Sequence, residues 1–66
     1  MVYTLRQARR LADKTQSEAA KAIGVCEHTY RKMEKDPGSI TIKHAFALSS
    51  FFGVPYDQIF FGSNSN

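Results

Sequence analysis

The chain has 66 residues, 42% of them hydrophobic, with a formal net charge of +3 and one cysteine. That length fits one small domain and that hydrophobic fraction excludes a disordered chain, while a lone cysteine excludes an internal disulfide framework. No apolar run approaches the ~20 residues of a membrane helix, and Met1-Val2-Tyr3-Thr4-Leu5-Arg6 lacks a signal-peptide core, so a cytoplasmic protein is expected. The charge leans only mildly toward a polyanionic partner, because many small proteins carry +3 for solubility.

Five short helices account for the pattern and no strand is needed, which predicts an all-α fold. The first spans Leu5 to Ala12: Thr4 can cap it with Gln7 three residues on, and Leu5, Ala8, Leu11 and Ala12 recur at helical spacing as its inner face. Arg6 and Arg10 sit one turn apart and point to water. The second helix starts at Gln16 behind the Thr15/Glu18 capping box, turns Ala19, Ala20 and Ile23 inward, and ends at Gly24. The third follows Cys26, a poor cap, with Val25 placed to staple onto Tyr30. Glu27 suits its positive end and Lys32 and Lys35 its negative end, while Tyr30 and Met33 make the buried stripe. Asp36-Pro37-Gly38-Ser39 is a turn. The fourth helix runs from Ile42 to Phe52 behind Thr41, with Ile42, Ala45, Phe46, Leu48 and Phe52 as one broad apolar face, and Gly53 ends it. Val54-Pro55 leads into a last helical stretch, Tyr56 to Phe60.

The second and third helices, joined by Gly24-Val25-Cys26, make a helix-turn-helix, whose second helix lies in the major groove of DNA. If Tyr30 and Met33 face inward, Glu27, His28, Arg31, Lys32 and Lys35 face outward or sideways by the helical period alone. The whole chain then resembles the Cro/repressor-type helix-turn-helix family of phage repressors and bacterial regulators. The residues that carry the resemblance are Leu5 with Arg9, Thr15-Gln16-Ser17-Glu18-Ala19-Ala20, Gly24-Val25-Cys26, Glu34, Phe52-Gly53-Val54 and Asp57-Gln58-Ile59-Phe60. The implied fold is a compact five-helix lambda-repressor-like domain over residues 1–62 with a flexible tail at 63–66. Four residues depart from the family pattern: Lys14 replaces an apolar residue, Ala19 a leucine, Cys26 a serine or threonine, and Asp36 a glycine. Together they imply a looser core around the first two helices.

The resemblance implies a double-stranded DNA partner, with Cys26, Glu27, His28, Arg31 and Lys32 at base edges. Arginine can grip guanine O6 and N7 with two hydrogen bonds, and a carboxylate can accept from the cytosine amino group. Glu27 has an equal alternative, simple capping of the helix dipole. Phosphate contacts are expected from Arg10, Gln16, Ser17, Lys35, Thr41 and Lys43, with Gln16 and Ser17 at a helix N-terminus that favours anions. The family also implies a structural ion pair between Arg9 and Glu34. Phe51, Tyr56, Phe60 and Phe61 cannot all fit so small a core, so they are expected to form a homodimer interface. Cys26, His28 and His44 lack zinc spacing, and no orienting group for a Cys/His nucleophile is apparent. We therefore expect no cofactor, no metal, no small-molecule ligand and no enzyme activity. The competing reading is a protein-interaction module, antitoxin-like or adaptor, built on the same fold.

Overall fold

The structure, a computed structural model, describes residues 2–60. The described residues hold four α-helices: α1 (Leu5–Leu11), α2 (Gln16–Ile23), α3 (Glu27–Lys35) and α4 (Ile42–Phe52). Two short strands, β1 (Tyr3–Thr4) and β2 (Ile59–Phe60), pair in parallel, with Tyr3 opposite Ile59 and Thr4 opposite Phe60.

Local chemistry sets most of the helix ends. Thr4 and Gln7 close a reciprocal capping box on α1, and Thr15 and Glu18 close another on α2, so the exposed N–H groups of both first turns find acceptors. Thr41 Oγ1 accepts the His44 N–H at the start of α4. Gly24 and Gly53 stop α2 and α4 with φ of +74° and +69°, a conformation that costs a side-chain-bearing residue energy. Asp13 takes a similar value, +59°, in the connection between α1 and α2.

The core gathers Leu5 and Ala8 from α1, Ala19 and Ala20 from α2, Tyr30 and Met33 from α3, and Leu48 and Phe52 from α4, with Val54 and Ile59 closing one end. α2 packs on both α3 and α4. Its two small alanines, 0% and 2% exposed, leave the space for those approaches. Lys14, which replaces an apolar residue, sits half-buried with its ammonium 5.2 Å from the centre of the Phe51 ring. Its alkyl stem and a cation–π contact take over part of the apolar role.

Four expectations need correction. The segment 56–60 forms one 3-10 turn, Tyr56–Gln58, followed by β2, and not a fifth α-helix. Five residues cannot offset the cost of helix nucleation, and the β-branched Ile59 gains more by extending beside Tyr3 while its side chain enters the core. For the same reason the fold contains strands although none was expected. Leu11 is 61% exposed: it ends α1 on a flank about 120° from Leu5, where no element covers it. Ile42 and Phe46 are 69% and 54% exposed, because α4 buries the narrower stripe Ala45–Leu48–Phe52 and Phe46 lies about 100° around from Ala45.

This division of α4 is measurable by thermal or urea unfolding. A 66-residue domain has only about 3–10 kcal/mol of stability to lose. Leu48→Ala should remove about 2–5 kcal/mol, a large share of that stability. Ile42→Ala should stay within about 0.5 kcal/mol of the parent.

Candidate nucleic-acid interface

α3 is strongly polar except at two positions. Tyr30 is fully buried and Met33 is 7% exposed, and these two side chains pin the helix to the core. The remaining face is thereby turned to solvent: His28, Arg31, Lys32 and Lys35 are exposed and Glu27 is half-exposed. Cys26 occupies the cap position, where its side chain caps no backbone N–H and its Sγ lies 3.2 Å from Thr29 Oγ1. The hydrogen bond with Thr29 pulls the thiol below its ordinary range.

The far end of α3 is locked by charge. Arg9 Nε donates to Glu34 Oε2 at 2.6 Å, and the Gln16 amide donates to Glu34 Oε1 at 3.1 Å. Arg9 also donates from Nη1 to the Lys14 carbonyl at 2.9 Å. One carboxylate therefore ties α1, α2 and α3 together, with the Arg9 and Glu34 side chains 12% and 6% exposed. Burial pushes the Glu34 carboxyl up, but hydrogen bonds, first from Arg9, and the Arg9 charge outweigh it and leave its pKa below the ordinary glutamate value. The Arg9 guanidinium is raised in turn, chiefly by its bond to Glu34. The Tyr30 hydroxyl is buried beside this pair and completes no well-formed hydrogen bond; burial, then Glu34, hold the phenol protonated.

An open cleft of about 390 Å³ lies over the lock, lined by Arg6, Arg9, Gln16, Arg31, Glu34 and Lys35. The structure thus brings together Gln16, Arg31 and Lys35 from the expected site and adds Arg6. Arg6 reads in the sequence only as a solvated charge; its place depends on how α1 crosses α3, which no local pattern reports. Ser17 is exposed in the first turn of α2, and Thr41 and Lys43 are exposed at the start of α4. Arg10 stands apart, lining a separate depression with Tyr3, Gln7 and Leu11. Gln16 gives one N–H of its amide to Glu34, so the second N–H and the backbone of α2 remain for an anion.

A second relation escaped the sequence reading. Arg31 Nη2 donates to Glu27 Oε2 at 3.1 Å across one turn of α3. The signal was present, a glutamate four residues before an arginine, which is the favourable order on a helix.

The aromatic residues also redistribute. Phe51 is half-buried against the core and tilts against Phe52 with ring centres 5.7 Å apart. The exposed aromatic pair is Phe46 and Tyr56, stacked at 4.3 Å and 17°. The Phe60 side chain, Phe61 and the expected 63–66 tail lie outside the described residues. Among the described residues, no group of three or more His, Cys, Asp or Glu side chains could hold a metal ion, and no helix is long and apolar enough to cross a membrane.

Two short helices at a glycine turn, the second anchored by two buried side chains and presenting a basic outer face, define a helix-turn-helix domain. The helix-turn-helix family model matches residues 5–59. The chain belongs to this family. It is 38% identical over 60 residues to an uncharacterized HTH-type transcriptional regulator of Methanocaldococcus jannaschii, covering 91% of each chain. No solved structure matches it.

The lock predicts a pH dependence. A folded-state pKa below the unfolded value gives stability that is present above about 4.5 and lost as pH falls through the lower, folded value. The Glu18 capping box, whose pKa is also lowered by its hydrogen bond to Thr15, acts in the same direction. Glu34→Gln should cost about 2 kcal/mol or more at pH 7, since it strands a mostly buried Arg9 charge. That difference from the parent should shrink below about pH 4, leaving a shallower acid limb; melting temperatures from pH 3 to 7 measure it.

Proposed function

We propose that this protein is a sequence-specific double-stranded DNA-binding transcription regulator that lays α3 in the major groove and represses by occupying a promoter. The observation that carries this reading is the division of α3. Tyr30 and Met33 are sequestered, so His28, Arg31 and Lys32 stand on a ridge clear of the protein's own chain. Base contacts are assigned to Cys26, Glu27, His28, Arg31 and Lys32. Phosphate contacts are assigned to Arg6 and Lys35 beside the cleft, to Ser17 and the Gln16 backbone at the start of α2, and to Thr41 and Lys43 at the start of α4. The name of the Methanocaldococcus jannaschii relative supports regulation as the outcome.

A second copy completes the reader. Ile42 and Phe46 lie one turn apart on α4, and Tyr56 stacks on Phe46, so three large side chains form an exposed apolar patch. An isologous contact through this patch would pair two copies about a two-fold axis, as palindromic half-sites one DNA turn apart require. It keeps Tyr56 of the expected interface and leaves out Phe51, which packs against the core, while the Phe60 side chain and Phe61 lie outside the described residues.

Two experiments test this function. Selection from random duplexes should return a palindrome with half-sites about 34–36 Å apart. Binding to any duplex should weaken by roughly 10³-fold between 50 and 200 mM salt if about six phosphates are neutralised. Negligible binding at 50 mM salt would favour the protein-interaction reading. Phe46→Glu should abolish 2:1 binding to the palindrome in sedimentation while leaving the monomer folded, because a half-exposed side chain contributes little to the core.

A further inference from the structure

Beyond placing Glu27 at the positive end of α3, the Glu27–Arg31 pair adds little to the fold. Both side chains are largely open, 43% and 53% exposed, and a surface pair of this kind adds little stability. Yet it occupies the middle of the basic ridge, where a carboxylate repels DNA phosphates. Building on the DNA-binding reading, we infer that Glu27 is a specificity-determining residue that holds Arg31 for guanine of a G·C pair and withholds it from phosphate.

The argument rests on counting hydrogen bonds and charge. A guanidinium has five N–H donors, and Glu27 accepts from one, on Nη2. Nη2 carries two hydrogens, one in the fork with Nε and one in the fork with Nη1, so whichever one Glu27 takes, the other fork stays free to donate twice to guanine O6 and N7. Holding the side chain one turn back also lowers the rotamer freedom lost when the base is met. Phosphate is different, because its attraction to Arg31 is a net-charge effect. The neighbouring carboxylate offsets that charge, so a phosphate gains little from Arg31. Lys32 and Lys35, which have no carboxylate partner in a hydrogen bond or ion pair shown by the structure, remain as the cations that grip any backbone. One residue thus discriminates in two ways, by supporting the correct contact and penalising the wrong one.

The experiment uses the full chain and three duplexes: the selected site, the same site with its Arg31-dependent G·C pair changed to A·T, and a random duplex. Glu27→Gln keeps size and loses charge. It should tighten random-duplex binding roughly fivefold, the effect of one charge near the surface, and steepen the salt slope by about one phosphate. Affinity for the selected site should change by no more than about twofold, so the selectivity ratio falls roughly two- to fivefold. Arg31→Ala should erase the G·C preference, and in that background Glu27→Gln should no longer change the ratio. Melting curves of each variant confirm a folded chain. Equal tightening on all three duplexes would overturn the inference and leave Glu27 as a repulsive charge. An unchanged ratio would also overturn it, as would a G·C preference that depends on Glu27 but not on Arg31. If the parent binds no duplex at low salt, the DNA-binding reading itself falls, and the inference with it.

Discussion

Everything about the outer face of α3 depends on the burial of Tyr30. A nine-residue helix with the sequence Glu-His-Thr-Tyr-Arg-Lys-Met-Glu-Lys has no stability of its own in water, being shorter than an isolated helix needs and poor in apolar groups. It exists because one large aromatic side chain, fully buried, and one thioether dock it on the alanine-lined surface of α2. Two anchors three residues apart also fix its rotation about its axis. Once they are seated, no freedom is left in where the charged residues point.

The Arg9–Glu34 lock answers a problem that this anchoring leaves open. Apolar contact fixes rotation well and translation along the helix poorly, since a flexible methionine tolerates sliding. A geometry-demanding pair at the C-terminal end removes that freedom, and Gln16 extends the restraint to α2. The burial of both charges costs desolvation, and the pair contributes position more than net stability. It also leaves Glu34 neutralised by Arg9 inside a cleft that Arg6, Arg31 and Lys35 also line, so its one buried carboxylate does not oppose an anion.

The sequence exposes local physics and conceals the rest. Thr4 with Gln7, and Thr15 with Glu18, announce helix starts because both partners of each capping box lie within four residues. Gly24 and Gly53 mark helix ends for the same local reason, and the limits of α4 follow from Thr41 and Gly53. The inward turn of Tyr30 and Met33 is legible from spacing. Leu11, Ile42 and Phe46 are not, because an apolar residue near the edge of a helical stripe is buried only if another element happens to reach it. The pairing of Tyr3–Thr4 with Ile59–Phe60 joins the two ends of the described chain, and no window of sequence contains both partners. Arg6 belongs to the cleft for a similar nonlocal reason. The Glu27–Arg31 pair is legible, since a glutamate four residues before an arginine is a local signal.

The modest net charge of +3 then becomes intelligible as a division of labour. A protein that must find one site among many gains nothing from indiscriminate attraction, since every added free cation tightens binding to all sequences alike. In this chain two of the four cations lining the cleft are paired with carboxylates: Arg9 with Glu34, and Arg31 with Glu27. Under the DNA-binding proposal, the exposed lysines Lys32, Lys35 and Lys43 would supply the general attraction. On that proposal, affinity drawn from the lysines and selectivity drawn from the paired Arg31 can be tuned separately, because a change at Lys43 would alter every complex and one at Arg31 only those with the right base.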